Sequence, residues 1–246
     1  MKSIILILIL STLFADDCSA PWLGAAHSGA PGEVNCSGCH AGSINSGPGT
    51  VNYTIGTNAG SYMPGYVYSM MVSISQENLN QFGFQTVALR ESNDSSVGNF
   101  IITDEETTRI IEDDHHGTDR VYVGHTVCGA DAEFSGSNQW EFEWQAPDEN
   151  VGNIEIYLST LAANHNHSTS GDDTYFQIFT LSPQTVLLGD LNEDALINVL
   201  DVVIEVNIIL GTVIPTDSQL QAGDLNGDSG INVLDVVLIV NMILGG

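Results

Sequence analysis

A chain of 246 residues with 31 acidic side chains against four Lys and Arg, net charge −27, repels nucleic acid and anionic lipid surfaces, because both are held through Lys and Arg. Lys2 is the sole lysine and Arg90, Arg109 and Arg120 are the remaining strong cations, so partners are expected to be neutral, basic or cationic. The length suits one core of ordinary size and a small additional module.

The first 20 residues have the layout of a secretory signal peptide: Lys2, an apolar run over 4–14, then small and polar residues. Cleavage after Ala15 and cleavage after Ala20 both fit. The apolar run is shorter than the ~20 residues of a membrane span, so the mature chain is expected to be secreted or held at the cell surface, without a transmembrane helix. Asp17 before Cys18 departs from the pattern of a lipoprotein cysteine.

Next comes Cys36-Ser37-Gly38-Cys39-His40, a C-x-x-C-H. Covalent attachment of haem c needs two thiols spaced for the two vinyl groups of the porphyrin, with a histidine directly after the second thiol to reach the iron. The alternatives are a small disulfide loop or half of a zinc site. Zinc would require two more soft ligands, and no second closely spaced Cys pair exists.

From about residue 50 to 180, short apolar or alternating runs are broken by Gly, Asn, Asp, Ser and Pro. Strands are expected at 51–55, 66–74, 82–89, 99–102, 120–127, 139–144, 154–161 and 174–179, a mainly β pattern typical of an antiparallel β-sandwich. Trp140, Phe142 and Trp144 alternate and so share one strand face; the core is the default place for them, with a sugar-binding face as the alternative. The acidic-histidine run Glu112 to His116 and the pair His165 and His167 read as solvated loops in preference to metal sites. Cys128 pairs with Cys18 if cleavage follows Ala15, and is otherwise a spare thiol in an oxidising compartment.

The segments SGAPGEVNCSGCHAGSINSGPG, GFQTVAL, VGHTVCG, WEFEWQAP and STSGDDTY resemble the choice-of-anchor V domain, a reeler-like β-sandwich of secreted bacterial proteins. The resemblance implies a sandwich over 21–182 and a haem reading of the C-x-x-C-H, with Cys36 and Cys39 as attachment points and His40 as proximal ligand. His125, in VGHTVCG, is the first candidate for the sixth iron position, since it matches a family position on an expected strand. His27, Met63, Met70 and Met71 compete, and a satisfied or surface histidine is the alternative reading of His125.

The last sixty residues hold one segment twice: GDLNEDALINVLDVVIEVNIILG and, 34 residues later, GDLNGDSGINVLDVVLIVNMILG. Each copy opens with oxygen donors at loop positions 1, 3, 5, 7, 9 and 12, the spacing that wraps a short loop around Ca²⁺. The first set is Asp190, Asn192, Asp194, the Leu196 carbonyl, Asn198 and Asp201; the second is Asp224, Asn226, Asp228, the Gly230 carbonyl, Asn232 and Asp235. Two Ca²⁺ ions are expected. An apolar helix follows each loop, over 199–210 and 233–244, too short to cross a bilayer. Position 6 is Ala195 or Ser229 where Gly is usual; the second loop has Gly227 and Gly230 nearby, whereas the first has no Gly between Asp190 and Asp201. The first loop is therefore expected to be the weaker site.

This duplication, over 183–246, resembles the type I dockerin module, in which each repeat pairs a calcium loop with one helix. The resemblance implies calcium-dependent folding and docking to a cohesin-like or other receptor. Val199-Leu200 and Val233-Leu234 stand where cellulosomal members often carry hydroxyl residues that choose the partner. No catalytic constellation stands out, so an enzyme is not the expectation. The leading reading is a secreted, calcium-docked sandwich with one c-type haem, for electron transfer or redox sensing with a redox partner at the cell surface. The alternative is a non-redox adhesion module binding glycan or protein, with Cys36–Cys39 as a structural disulfide, and a dockerin-borne hydrolase ranks last.

Overall fold

The computed structural model describes residues 24–40, 42–57, 60–112, 119–132, 134–166, 168–184 and 186–245. The expected signal peptide, Cys18, the run from Asp113 to His116, and His167 lie outside them. The chain divides into two compact units, Met1–Pro183 and Gln184–Gly246.

The first unit is a β-sandwich. Strands β1 (Thr50–Ile55), β3 (Val67–Ser75), β8 (Ser137–Gln145) and β5 (Asn99–Ile101) form one sheet in the order β1-β3-β8-β5. Strands β2 (Ser61–Tyr62), β10 (Asp173–Pro183), β9 (Ile154–Ala163), β4 (Gln81–Arg90), β7 (Val121–His125) and β6 (Thr108–Glu112) form the other, in the order β2-β10-β9-β4-β7-β6. All pairings are antiparallel except the short one between β2 and β10. The eight expected strands are present, and β2 and β6 are additional.

The period-2 alternation of β8 delivers Trp140, Phe142 and Trp144 to the space between the sheets, each buried to about the last per cent. Their indole N–H groups are satisfied there: Trp140 Nε1 donates to the Gly129 carbonyl at 2.8 Å and Trp144 Nε1 to Val97 at 3.2 Å. These three rings are core and offer no sugar platform. β4 does not alternate; Phe82 to Leu89 are buried throughout. Both faces of this central strand are covered. Phe82, Phe84 and Ala88 join the inter-sheet core, while Val87 and Leu89 join a second cluster with Tyr122, Tyr157, Ala25 and Ala30. The segment 24–40 thus lies over the outer face of the six-stranded sheet.

A buried polar knot fastens that segment. Arg120 donates to Glu33 and to the Pro31 carbonyl, Tyr122 Oη donates to the same Glu33 carboxylate, and Ser28 Oγ donates to its other oxygen. Both Arg120 and Glu33 side chains are nearly inaccessible, so removing one partner would strand a buried charge, a change that typically costs about 3–5 kcal/mol.

The second unit consists of the two loops, helices α1 (Val199–Ile209), α2 (Asp217–Gly223) and α3 (Val233–Ile243). Helix α1 packs on α3 around Leu191, Ala222 and Ile239. Asn198 and Asn232 are the N-caps of α1 and α3, with Asp201 and Asp235 closing capping boxes. Loop positions 9 and 12 therefore also start the helices.

Candidate functional site

Cys36–Gly38 is a single 3-10 turn, opened by Asn35, whose side chain accepts from the Ser37 amide. Its closing bonds, Cys39 N–H and His40 N–H to the Cys36 carbonyl, gather both cysteines and the histidine in one tight loop. Cys36 N–H donates to Ser159 Oγ on β9 at 3.0 Å, which fixes the turn to the outer face of the sheet. Both thiols are free, Cys36 partly buried and Cys39 exposed. Burial pushes the Cys36 thiol up to about 11, Ser159 opposing the rise and Cys39 adding to it. A thiol so protonated at neutral pH is a poor nucleophile.

His40 has a fixed ring. Its Nδ1 lies 2.7 Å from Asp172 Oδ2, and because a carboxylate only accepts, Nδ1–H is the donor, so that in the neutral ring the lone pair is on Nε2. Asp172 is itself buried and held by the Asn164 amide at 2.9 Å. A histidine oriented by a carboxylate through one nitrogen while the other remains available is the usual arrangement of a metal-ligating imidazole. Two free thiols and this histidine fit a covalently attached haem c. Asp172, 132 residues from His40, has no local sequence signal that would have marked it.

His125 stands elsewhere. It closes β7, and its ring fills the slot beside β4 where β7 ends: Nδ1 lies 3.0 Å from Phe84 N and 3.1 Å from Phe84 O. A Cβ on Gly83 would come 2.6 Å from its Cε1. Burial, with Arg109 contributing, holds it down to about 4 despite the Phe84 hydrogen bond. β4 lies between this strand and the β9 strand that carries Ser159. The structure thus gives His125 a place in the sheet and does not bring it to Cys36, Cys39 and His40. Met70 is enclosed in the inter-sheet core and Met63 is also buried; Met71 lies beside it on β3 of the opposite sheet. Cys128 is disulfide-bonded.

The two C-terminal loops share one hydrogen-bond pattern, to which the second adds a bond from Asn232 Nδ2 to Asp228 Oδ2 at 3.4 Å. Asp190 Oδ1 accepts from Asp194 N–H and Oδ2 from Ala195 N–H; Asp224 accepts in the same way from Asp228 and Ser229. Asp201 Oδ1 accepts from the Leu191 and Asn192 amides and Oδ2 from Asn198; Asp235 does so from Leu225, Asn226 and Asn232. The Asn192 and Asn226 amides donate to Asp194 and Asp228. Among the described residues no three His, Cys, Asp or Glu side chains converge as a metal cluster; the donor set here mixes Asp with Asn and backbone carbonyls, which suits a hard cation.

Electrostatics points the same way. Residues 184–246 contain nine Asp and Glu and no Lys, Arg or His. Asp201, Asp235 and Glu205 are fully buried, and neither Glu205 oxygen has a hydrogen-bond partner. Burial, with the Asp235 charge adding to it, raises Glu205 to about 7. Buried carboxylates without a side-chain cation need a bound counter-charge or protons.

The outer sides of α1 and α3 expose an apolar set in register: Leu200 with Leu234, Val203 with Val237, and Leu210 with Leu244. Leu210 and Leu244, at the helix C-caps, are 68% and 77% exposed, far more than a leucine facing a core.

The Reeler domain model matches residues 35–167, more than half of the chain. The chain belongs to the Reeler domain family. This reeler protein also matches the Dockerin type I domain model over residues 188–244, so its architecture is a reeler-like β-sandwich followed by a dockerin. It is similar to the Reelin-N domain of F-spondin, with 21% identity over 61% of this chain and 96% of that one, TM-score 0.43. The human F-spondin reeler domain gives 21% identity over 58% and 94%, TM-score 0.43. A cohesin module from a Clostridium perfringens family 33 glycoside hydrolase gives 9% identity over 55% and 98%, TM-score 0.35. No curated protein matches the chain. No described helix is long and apolar enough to cross a membrane.

Proposed function

We propose that this reeler protein is an exported, calcium-docked carrier of one covalent c-type haem, serving electron transfer or redox sensing at the cell surface. The observation that carries the haem reading is the His40–Asp172 pair directly after two free thiols. Cys36 and Cys39 would each add their S–H across a vinyl group, sulfur bonding one carbon and hydrogen the other, and His40 would supply Nε2 as proximal ligand. The haem itself would supply a one-electron couple. Asp172 keeps the ring of His40 in one orientation and tautomer, and the polar knot around Glu33 keeps the whole segment on the sheet.

In the dockerin, Asp190, Asn192, Asp194, the Leu196 carbonyl, Asn198 and Asp201 would hold one Ca²⁺. Asp224, Asn226, Asp228, the Gly230 carbonyl, Asn232 and Asp235 would hold the second. Bound there, calcium would offset the buried carboxylates, the loop residues would fix α1 and α3, and the doubled apolar face would seat a cohesin-type receptor. Valine and leucine at 199–200 and 233–234 favour a receptor with an apolar rather than hydroxyl-reading counterpart.

Expression with a cytochrome c maturation system tests the haem reading. A haem stain that survives denaturation, lost on Cys36→Ala/Cys39→Ala substitution, supports it; no stain with a Cys36–Cys39 disulfide favours the non-redox binding module instead.

A further inference from the structure

We propose that His27 is the second axial ligand of the iron, so that the site is a bis-histidine centre built from the two ends of one strap; this rests on the haem reading above.

The strap is the segment 24–40 on the outer face of the six-stranded sheet. Its two ends are pinned to neighbouring strands. His27 N–H donates to Gln85 Oε1 on β4 at 2.6 Å, and Cys36 N–H donates to Ser159 Oγ on β9 at 3.0 Å. Gln85 and Ser159 are directly paired in the β4–β9 register. Side chains of paired residues share a sheet face, with Cα atoms about 5 Å apart. His27 and the C-x-x-C-H turn therefore lie over the same patch of the same face.

Between them the strap folds tightly on itself. Gly29 N–H donates to the Val34 carbonyl at 2.9 Å, and Ser28 Oγ bonds Glu33. Gly29 has φ +80°, and a Cβ there would lie 3.2 Å from Asn35 Cβ and 2.5 Å from the Phe176 ring. Only glycine permits that approach, which presses the turn after His27 against the residue before Cys36.

The ring chemistry matches that of His40. His27 Nδ1 lies 2.7 Å from the Ala25 carbonyl, an acceptor only, so Nδ1–H donates and in the neutral ring the lone pair is on Nε2. Two half-buried histidines on one strap thus each have Nδ1 anchored and Nε2 available. Met63 and Met70 are buried, and His125 is committed to the sheet gap.

The test uses the full chain matured with haem, as wild type, His27→Gln, His27→Met and His125→Gln. The wild type and His125→Gln are expected to give low-spin, six-coordinate optical and electron paramagnetic resonance spectra with slow, weak CO binding in the ferrous state. His27→Gln should turn high-spin, with its Soret band shifted to shorter wavelength and CO binding at least tenfold faster. His27→Met should stay haem-loaded and show a more positive potential. Should His27→Gln misfold, the His27→Met potential decides. A low-spin His27→Gln spectrum, or an unchanged potential in His27→Met, overturns the proposal, and loss of low-spin character in His125→Gln alone assigns the ligand to His125. A wild type that takes up no haem overturns the haem reading itself, and the His27 proposal with it.

Discussion

The two loops proposed to hold calcium share one hydrogen-bond pattern, apart from the long Asn232–Asp228 bond of the second, but differ in backbone strain, and that difference is expected to set their relative affinity. In the first loop Glu193 (φ +60°) and Ala195 (φ +64°) both occupy the left-handed region; in the second the corresponding residues are Gly227 (φ +72°) and Ser229 (φ +70°). A residue with a Cβ pays about 1–2 kcal/mol there, and the extra freedom of glycine in the unfolded chain returns about 0.5–1 kcal/mol of that. The net handicap of the first loop is about 1 kcal/mol, or roughly fivefold in Kd. Because Glu193 also carries charge, the informative comparison is Glu193→Gly against Glu193→Ala, which share the charge loss and differ in the Cβ. Isothermal titration of calcium into each full-length variant should show the first loop about fivefold tighter in Glu193→Gly. A Cβ on residue 227 would meet nothing within 4 Å, so Gly227→Ala should weaken the second loop through backbone strain alone. Equal affinities in the two Glu193 variants, or a wild-type first loop that fills before the second, would refute the strain argument.

Chelation should melt the dockerin, since binding free energy becomes folding free energy where no site preexists; an unchanged circular-dichroism melt in excess EGTA contradicts this. His125, held down to about 4 by burial, keeps its proton off in the folded state while an unfolded histidine gains one near pH 6.5. Its contribution is fully present above about pH 6.5 and is lost towards pH 4, by at most about 3 kcal/mol; urea midpoints of calcium-loaded protein should fall over this interval, and less steeply in His125→Gln. Cys128 is disulfide-bonded; pairing with Cys18 requires signal cleavage after Ala15 rather than after Ala20, and Edman sequencing with non-reducing peptide mapping is expected to find that N-terminus and that pair. A mature chain starting at Pro21 would refute that pairing.

Elements whose local pattern and tertiary role agree were legible in the sequence. β8 alternates because one face is core and the other solvent, and α1 and α3 follow a repeat that also writes their caps. β6 (Thr108–Glu112) was missed because Thr-Arg-Ile-Ile-Glu is short and does not alternate cleanly, and it becomes a strand through its partner β7. β2 is two residues held by β10. Helix α2 carries its own start signal in the sequence, since Thr216 and Gln219 form a capping box, Thr-x-x-Gln. The C-x-x-C-H was evident, but Asp172 meets His40 only through the folding of β9 and β10 around the strap. The attraction of His125 came from its motif, and the structure answers it with a sheet gap that this ring fills.

The intact mass of the mature protein, secreted by a host competent for haem attachment, tests the central claim most directly. The account predicts a mass about 616 Da above that of the polypeptide, the increment of one haem on the Cys36 and Cys39 thiols. A mass about 2 Da below that of the fully reduced 36–39 pair, with no haem increment, would contradict it.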